Sequence, residues 1–388
     1  MNWKFALAGV VVAGGLACRE ATQPEPRPAA ARVRAVPGEY IVVFRQSVTS
    51  PQALAAQLVS AHRGALRFTY TSAIKGFAAR LSPAAAQALA RNPQVAYVEP
   101  DQEFSVDATQ SMDANGDPWG LDRVDQQAGP LSRTYTYNAT GAGIHAYIID
   151  TGIWTLHSDF GGRANNVYDA FGSGATGEDC HGHGTHVAGT IGGTTYGLAK
   201  GASLHGVRVL SCAGLGLTSQ IIAGVDWVRQ NAIKPAVANM SLGGGLSTAL
   251  NDATTNLWNS GVFVAVAAGN DNVDACTASP ASASGAFTAA ASTKTDAKAS
   301  YSNWGTCVEA YAPGSAIVSD FLGGTTMSLS GTSMASPHFA GVAVLYKATF
   351  GDQPSATVAN WIVTNATNGV ITGSTAGTPN KLLYKSTL

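Results

Sequence analysis

Four polar residues of this chain stand at predicted ends of regular elements and together could perform acyl transfer. Asp150 and Asn270 each follow a short apolar run, His183 opens a small-residue helix, and Ser333 lies in a turn after glycine. A serine attacks a carbonyl only when a base takes its proton. The base needs a carboxylate to fix its tautomer, and the resulting oxyanion needs hydrogen-bond donors. The four residue types fill these roles.

The turn that carries Ser333 precedes a predicted buried helix. The segment Gly331–His338 is followed by the apolar run Phe339–Lys347, which has the length and the small residues of such a helix. Ser333 would lie at the helix N-terminus, where unpaired N–H groups and the positive dipole end favour negative charge. A serine there could equally be a simple N-cap, so its assignment depends on the rest of the chain.

The elements that would position these residues alternate after Gly143. Strands are predicted at 144–149, 205–210, 237–240, 262–268 and 287–291, with helices at 184–192, 218–233 and 247–260. Near-continuous apolar strands separated by helices indicate a mostly parallel sheet with helices on both faces. Such sheets carry their sites at the carboxyl ends of the strands, which is where Asp150 and Asn270 stand. The fold class predicted is therefore doubly wound α/β.

A separate small domain is predicted over residues 38–107. Its pattern gives a strand at 38–44, a helix at 51–62, a bent strand or hairpin at 73–81, a helix from 83 to 90 and a strand at 94–99. This order approaches β-α-β-β-α-β, the ferredoxin-like α+β arrangement. Residues 106–117 lack periodicity and are expected to be a linker or turn.

The composition describes a compact globule. The 388 residues are 45% hydrophobic and 12% charged, which is enough for one large α/β domain plus a small one and argues against disorder. The formal net charge is −1 and no basic patch is present, so nucleic acid is not an expected partner.

The N-terminus has the pattern of an export signal. Residues 1–17 contain one lysine, a short apolar core and small residues before Cys18, as in a signal peptide. Leu16-Ala17-Cys18 also resembles a lipoprotein box, so the precursor is either secreted or lipid-anchored through Cys18. Residues 18–37 are rich in proline and alanine and are expected to be a disordered tether. The four remaining cysteines form an even set that permits three pairings in an oxidising compartment.

Five sequence blocks, in order, resemble the subtilisin-like serine proteases, or subtilases, and specifically the aqualysin-like members of the proteinase K branch. The blocks are Tyr147–Ile153, His183–Gly189, Asn239–Gly244, Ala267–Asn270 and Gly331–His338. The resemblance covers the chain from Ala108 to the C-terminus and implies a catalytic domain at 108–388. It implies that Asp150 orients His183, that His183 deprotonates Ser333, and that Asn270 binds the oxyanion. The implied activity is that of a serine endopeptidase without a catalytic metal.

The resemblance also implies where a peptide substrate binds. Backbone edges for an extended peptide are expected at Gly214, Leu215, Gly216, Ser241, Leu242 and Gly243. The first pocket, which receives the P1 side chain, is expected to be lined by Ala267, Ala268, Gly269 and Ala281. Small uncharged walls favour apolar or aromatic P1 residues with broad preference. Asn239 is expected to support the strand rather than to perform chemistry.

Structural features of the subgroup follow by the same resemblance. Asp122, Asp125 and Gln126, with Ser132 and Thr134, match a calcium site, although an acidic surface turn is the alternative. Glu309 stands where relatives place an aspartate of a second calcium site, and its longer side chain argues against that site. The disulfides implied are Cys180–Cys212 and Cys276–Cys307.

The small domain resembles the inhibitor-type prosegment of subtilases, and Ala108–Ser111 resembles a mature N-terminus. A self-processing zymogen follows, whose prosegment at 38–107 assists folding and blocks the cleft, and the mature protein is expected to be monomeric. Two other functions were weighed. A metallohydrolase could use His181, His183 and His186, but it would leave the Ser333 block unexplained. A non-catalytic binding protein would not need every triad position filled.

Overall fold

The computed structural model describes residues 34–71, 75–103, 108–172 and 177–388. The predicted signal peptide at 1–17, Cys18, most of the predicted tether and Asp107 lie outside these residues. Among the helices that are described, none is both long and apolar enough to cross a membrane.

The first sheet has four antiparallel strands in the order β2-β3-β1-β4, the arrangement expected for a ferredoxin-like domain. Its elements are β1 (Arg34–Phe44), α1 (Pro51–Ala61), β2 (Ala65–Tyr70), β3 (Gly76–Arg80), α2 (Pro83–Ala90) and β4 (Val95–Glu103). Both helices contribute to one core with the inner face of the sheet.

Two details of this domain differ from the prediction. β1 begins at Arg34, inside the segment predicted as a tether, because Arg34 and the next residue pair with the end of β4. Of the two alternatives predicted at 73–81, a bent strand or a hairpin, the described residues form one strand, β3, which pairs antiparallel with β2. β2 escaped prediction because it is an edge strand whose Leu66 and Phe68 are exposed, so it lacks a core-facing pattern.

The second sheet has nine strands in the order β18-β19-β15-β14-β12-β10-β7-β9-β8. The chain first forms β5 (Ala108–Ser111), α3 (Trp119–Asp125) and β6 (Thr134–Tyr137). It continues with β7 (His145–Asp150), β8 (Ala164–Asp169), α4 (His183–Gly192), β9 (Ser203–Arg208), α5 (Thr218–Asn231) and β10 (Ala236–Met240). Next come β11 (Gly244–Gly245), α6 (Thr248–Asn259), β12 (Phe263–Ala267), β13 (Ala278–Ser279) and β14 (Phe287–Ser292). The last elements are β15 (Ala310–Pro313), β16 (Ile317–Phe321), β17 (Thr325–Leu329), α7 (Thr332–Phe350), α8 (Ser355–Asn365), β18 (Thr367–Asn368) and β19 (Lys381–Leu382).

Every strand pair of this sheet is parallel except β18 with β19, which confirms the prediction of a mostly parallel sheet. Alternate residues of its strands enter two cores. α4 and α7 contribute to the core on one face, and α5 and α6 to the core on the other. Helices therefore cover both faces, so β10, β12 and β14 are buried along their whole length.

β5 occupies part of the segment predicted to be a linker, because it pairs with β6. β8, β15 and β19 were not predicted either. They lie towards the two edges of the nine-stranded sheet and are short or partly exposed, so their apolar runs are weak. The central strands β7, β10, β12 and β14 were predicted to within a residue or two.

The hairpin of β16 and β17 packs against α4 through buried polar groups. Ser319 Oγ donates a 2.9 Å hydrogen bond to the carbonyl of His186, whose Nε2 contacts the carbonyls of Ile317 and Met327. Asp320 is completely buried, and among the described residues it lies next to His157, whose Nδ1 is 3.5 Å from Oδ1, beyond a well-formed hydrogen bond. Burial, followed by the negative charge of Asp159, raises the pKa of Asp320 to about 8.

Asp320→Asn is expected to reduce the loss of stability that accompanies rising pH. Asp320 keeps its proton in the folded protein up to about pH 8, whereas an unfolded aspartate loses it near pH 4. Unfolding therefore releases a proton between these values, and stability falls as pH rises through that range and then levels off. The Asn variant has no carboxyl proton to release at this position. The melting temperature of the variant minus that of the parent should therefore increase from pH 5 to pH 8.

The melting temperatures are measured for both proteins in a Ser333→Ala background, which removes serine chemistry from the sample. Asp226→Asn, at an exposed carboxylate on α5, is the control for a changed net charge. Parallel curves for Asp320→Asn and its parent would contradict the prediction.

Candidate active site

The four residues proposed for chemistry lie at ends of the predicted elements. Asp150 is the last residue of β7, and Asn270 follows β12 by three residues. His183 is the first residue of α4, and Ser333 is the second residue of α7. Because β7 and β12 run parallel, Asp150 and Asn270 share the carboxyl edge of the sheet.

Asp150 and His183 form a direct pair. His183 Nδ1 lies 2.8 Å from Asp150 Oδ1 and 3.0 Å from Oδ2, and Oδ1 also accepts a 2.7 Å hydrogen bond from the Thr151 N–H. Asp150 is fully buried. Because a carboxylate only accepts, Nδ1 must carry the proton, which leaves a lone pair on Nε2 in the neutral ring. The pair therefore fixes the tautomer that can act as a base.

The same pair changes the acidity of the imidazole. Burial lowers the pKa of His183, but the negative charge of Asp150 and the hydrogen bond to it oppose this, and Asp179 adds a further rise. The net effect is a pKa above the ordinary histidine value. Protonated His183 is therefore stabilised where it stands.

Ser333 is held through its backbone by polar side chains from β10 and the turn after it. Ser241 Oγ donates a 2.7 Å hydrogen bond to the Ser333 carbonyl oxygen and accepts one of 2.9 Å from Asn239 Nδ2. Asn239 Oδ1 in turn accepts from Ser336 Oγ at 2.7 Å. Ser333 Oγ donates to the Ser241 carbonyl at 3.3 Å. Asn239 thus supports the strand end and the helix together.

Asn270 is oriented by the residue before the serine. Its Oδ1 accepts hydrogen bonds from the Thr332 N–H at 2.8 Å and from Thr332 Oγ1 at 3.0 Å. The Thr332 hydroxyl also accepts from the Gly269 N–H at 3.0 Å. With Oδ1 occupied by two donors, the amide Nδ2 points away from Thr332 and can donate to another group. This network also assigns which amide atom is oxygen.

Two cavities lie beside these residues and share Leu242 and Gly243. The first, of about 460 Å³, contains Asn270 and Ser333 in its wall together with the predicted residues Ala267, Ala268, Gly269 and Ala281. The second, of about 330 Å³, contains His183 with the predicted residues Gly214, Leu215, Gly216 and Ser241. All ten residues predicted to bind substrate therefore line one cavity or the other.

Sequence reasoning missed several residues that hold the site. Thr151 bonds both to Asp150 and, through Oγ1, to the Gly184 N–H of α4. Asp179 accepts hydrogen bonds from the turn before His183. Asn303 is buried and bonds to the backbone on both sides of Asn270. Their positions near glycines and strand ends were a signal for turns, but nothing in the sequence tied them to particular partners.

The predicted calcium ligands form one cluster. Asp122 accepts hydrogen bonds from Ser132 and from the Arg133 N–H, and Gln126 Oε1 also accepts from the Ser132 N–H. Asp125 pairs with Lys385 at 2.8 Å. Burial raises the pKa of Asp122, and the charge of Asp125 contributes to the rise. A bound metal cation would offset the negative charge of the two aspartates and oppose the rise in the pKa of Asp122. These oxygen atoms suit a hard cation, even though Lys385 already offsets the charge of one carboxylate.

Glu309, at the doubtful second calcium position, bonds instead to the Thr288 N–H, and burial raises the pKa of Glu309 to about 7. A carboxyl group with a pKa raised to about 7 loses its proton less readily than an ordinary glutamate, which makes it a weaker calcium ligand. Over the described residues, no group of three or more histidine, cysteine, aspartate or glutamate side chains lies close enough together to hold a metal ion.

The histidines considered for a metallohydrolase do not converge. His186 is buried and bonds to backbone carbonyls of the β16–β17 hairpin, whereas His181 lies in the wall of the second cavity. The two implied disulfides are both present: Cys180–Cys212 and Cys276–Cys307, with Cα separations of 5.0 and 5.3 Å. The first joins the turn before His183 to the loop that contains Gly214–Gly216.

Comparison with known proteins agrees with this geometry. Residues 141–381 match the model of the subtilase family, and residues 39–107 match that of the peptidase inhibitor I9 family. An extracellular serine proteinase of Thermus sp. (strain Rt41A) is 46% identical over 94% of this chain and 93% of its own length. The alkaline serine exoprotease A of Vibrio alginolyticus is 47% identical over 91% of this chain and 68% of its own length.

A solved structure supports the fold assignment. The crystal structure of a cold adapted subtilisin-like serine proteinase is 50% identical to this chain, with a TM-score of 0.68 over 69% of this chain and 97% of the other. Its agreement confirms the predicted subtilisin-like fold, and the second family match confirms the inhibitor-type domain that precedes it. The chain therefore belongs to the subtilase family and is a serine endopeptidase.

Proposed function

We propose that this endopeptidase is secreted, is made as a self-processing zymogen, and cleaves peptide bonds after apolar or aromatic P1 residues with broad preference. The observation that carries the proposal is the Asp150–His183 pair beside a cavity that is lined by Ser333, Asn270 and mainly uncharged side chains, with Asp271 as its charged lining residue. The pair prepares a base, and the cavity offers space for an apolar side chain next to the nucleophile.

In the first step, Ser333 Oγ turns from the Ser241 carbonyl and attacks the carbonyl carbon of the scissile bond. His183 Nε2 takes the hydroxyl proton as the new C–O bond forms, and the imidazolium is stabilised by Asp150. Collapse of the tetrahedral intermediate breaks the C–N bond, and His183 returns the proton to the leaving amine. The product is an acyl-enzyme on Ser333.

In the second step, water replaces the amine. His183 Nε2 takes a proton from water as its oxygen attacks the acyl carbon, and the proton then passes to Ser333 Oγ as the ester breaks. The free enzyme and a carboxylic acid product result. Because only neutral His183 can accept a proton, activity falls as pH drops through the raised pKa of His183.

The oxyanion of both intermediates is held by Asn270 Nδ2 and the Ser333 backbone N–H. The Thr332 bonds that occupy Asn270 Oδ1 fix this donor before substrate arrives, so little reorganisation is needed. The Ser333 N–H belongs to the first turn of α7, where backbone N–H groups lack helical partners. The helix terminus therefore favours the developing negative charge.

Asn270→Asp should lower kcat sharply with little change in KM. The aspartate keeps an oxygen where Thr332 donates, but it replaces the Nδ2 donor with a second acceptor of negative charge. The expected loss is at least about 10²–10³-fold in kcat, the range known for removal of such an asparagine from subtilisin. Steady-state kinetics on a peptide substrate measures it.

Asn272→Asp is the matched control, because Asn272 lies in the same turn and bonds to Lys298 instead. Its kcat should stay within a few fold of the parent enzyme. An equal loss in both variants would mean that the turn, rather than the Nδ2 donor, is what the reaction requires.

The extended substrate is proposed to pair with two backbone edges, at Gly214–Gly216 and at Ser241–Gly243, which line the second cavity. The P1 side chain enters the first cavity, whose base contains Ala281. Among the described residues that line this cavity, Asp271 is charged, whereas the residues expected to contact the P1 side chain are small and uncharged, so we expect selectivity to rest on volume.

Ala281→Leu should narrow the P1 preference. The added carbons fill the base of the cavity, so kcat/KM for a P1 Phe peptide should fall roughly 10–200-fold relative to a P1 Ala peptide. Chromogenic peptides that differ only at P1 give this ratio, and Ser333→Ala sets the zero of the assay. An unchanged ratio would place the P1 side chain outside this cavity.

The proposed domain boundaries are a signal peptide at 1–17, a tether at 18–37, an inhibitory prosegment at 38–107 and the catalytic domain at 108–388. Lipid attachment at Cys18 is the proposed alternative to release, and the mature enzyme is proposed to be a monomer. The prosegment is expected to leave by cleavage near Asp107, performed by Ser333 itself. If purified Ser333→Ala protein still lost residues 38–107, self-processing would be wrong.

Calcium is proposed as a structural ion held by Asp122, Asp125 and Gln126, with hydroxyl oxygens from Ser132 and Thr134. Bound calcium would supply positive charge between the two carboxylates and stabilise the segment from α3 to β6. It takes no part in the chemical steps.

Addition of calcium should raise the melting temperature of the Ser333→Ala protein by mass action. At a free concentration one hundred times Kd the expected gain is about 2.7 kcal/mol. Asp122→Asn should abolish most of this gain, whereas Asp252→Asn, at an exposed position on α6, should retain it. Equal gains in the two variants would remove Asp122 from the site.

A further inference from the structure

We propose that Asp179 is a positioning residue for the general base. It would hold the turn that precedes His183 and supply a permanent negative charge behind the imidazole. This inference rests on the proposed role of His183 as the base. It adds to that role a reason why a base can work from the first residue of a helix.

The position of His183 poses an electrostatic problem. The residue opens α4, and the N-terminus of a helix carries unpaired N–H groups and the positive end of the helix dipole. These favour anions and disfavour cations. Yet the proposed mechanism requires His183 to become an imidazolium at this place. A compensating negative charge is therefore needed in addition to Asp150, which approaches from β7.

Asp179 meets this requirement by its contacts. Its Oδ1 accepts hydrogen bonds of 2.9 Å from both the His181 and Gly182 N–H groups. Its Oδ2 accepts from the Thr185 N–H at 3.0 Å and from Thr185 Oγ1 at 2.6 Å. The side chain is buried, with 2% of the residue exposed. Asp179 thus accepts hydrogen bonds from backbone N–H groups on both sides of His183.

All four contacts of Asp179 are donated to its carboxyl oxygens. Three of the four partners are backbone N–H groups, which can only donate. The fourth, Thr185 Oγ1, accepts from the Trp154 N–H and donates its own proton to Asp179. Both oxygens of Asp179 therefore act as acceptors, as they do in a carboxylate.

Within the described part of the chain, two carboxylates and two other histidines lie near His183. Asp150 contacts it from β7, Asp179 lies in the turn before it, and the His181 ring lies 6.3 Å away, centroid to centroid. His186 follows on α4, where burial lowers its pKa to about 4, so it is neutral under working conditions. The two carboxylates are therefore the groups that oppose the helix terminus, and Asp179 contributes to the raised pKa of His183.

The turn itself is held on both sides of Asp179. Cys180, the next residue, is joined to Cys212, and Gly182 has a φ of +99° with the Phe321 ring in the space that a Cβ would occupy. These ties can hold the backbone but carry no charge. Asp179 differs from the disulfide and from the packing at Gly182 because it both holds the backbone by hydrogen bonds and supplies a negative charge.

The test is the pH dependence of kcat/KM for Asp179→Asn, measured on the mature enzyme from pH 5 to pH 10. Loss of the negative charge should move the acid limb to lower pH by roughly 0.3–1 unit, because the imidazolium is less stable. The plateau should fall as well, mainly through kcat, since Asp179 does not line either cavity. Asp179→Glu, which retains the charge, should keep the limb of the parent enzyme.

Asp274→Asn is the matched control. Asp274 accepts the Cys276 N–H at 2.9 Å beside the other disulfide, so it resembles Asp179 in its structural setting but lies in a different turn. Its substitution should lower the melting temperature without moving the acid limb. If Asp179→Asn does not fold, Asp179→Ser keeps a neutral hydroxyl acceptor in the turn and should show the same shift.

If a folded variant with an uncharged residue in place of Asp179 has the same acid limb of kcat/KM as the parent enzyme, the inference is wrong. This holds whatever the plateau value of kcat/KM. Failure of the proposed function gives a different result. In that case a phosphonyl fluoride would not label Ser333 in the parent enzyme, and no acid limb attributable to His183 would exist. Labelling of the parent at Ser333 together with an unmoved limb refutes the role of Asp179 alone.

Discussion

The hydrogen bond between buried Asp150 and His183 is the interaction on which the rest of the structure depends. A carboxylate without exposure must be compensated, and here the compensation comes from an imidazole and a backbone N–H. This contact requires the end of β7 and the start of α4 to lie side by side in a fixed position. Three features hold them there: the hydrogen bond from Gly184 to Thr151, the Cys180–Cys212 disulfide, and the packing of α4 on the β16–β17 hairpin.

Much of this arrangement could be predicted because the chemistry follows elements with strong patterns. Asp150 and Asn270 come directly after apolar central strands, and in a parallel sheet those ends share one edge. The placement of α7 could be inferred from the apolar run after Ser333. The two cavities were a different matter, since their lining was implied by resemblance to a family and not by periodicity. Edge strands such as β2 were missed, because exposed apolar residues do not mark a core.

The supporting polar network was beyond sequence reasoning for a physical reason. Ser241 and Thr332 act through hydrogen bonds whose partners are fixed only when distant segments pack together. Asp179 bonds to residues two to six positions further along the chain, but only the folded turn before His183 brings their N–H groups to its carboxyl oxygens. Asp320 illustrates the opposite case. Its residue type suggests an exposed position, yet the hairpin places it against α4 with no exposed surface. Whether an ionisable residue is buried depends on how the surrounding elements pack. The local sequence pattern does not contain that information.

Pro337 removes one backbone hydrogen-bond donor from α7. It lies four residues after Ser333 within α7, and in an unbroken helix the N–H at that position would bond to the Ser333 carbonyl. Proline has no N–H, so the Ser333 carbonyl has no helical donor and accepts from Ser241 Oγ, in the turn after β10. Ser333 and the residue that follows the end of a central strand are thereby joined through one oxygen atom. A residue that donates nothing thus allows a helix and a strand end to be held in a fixed relative position.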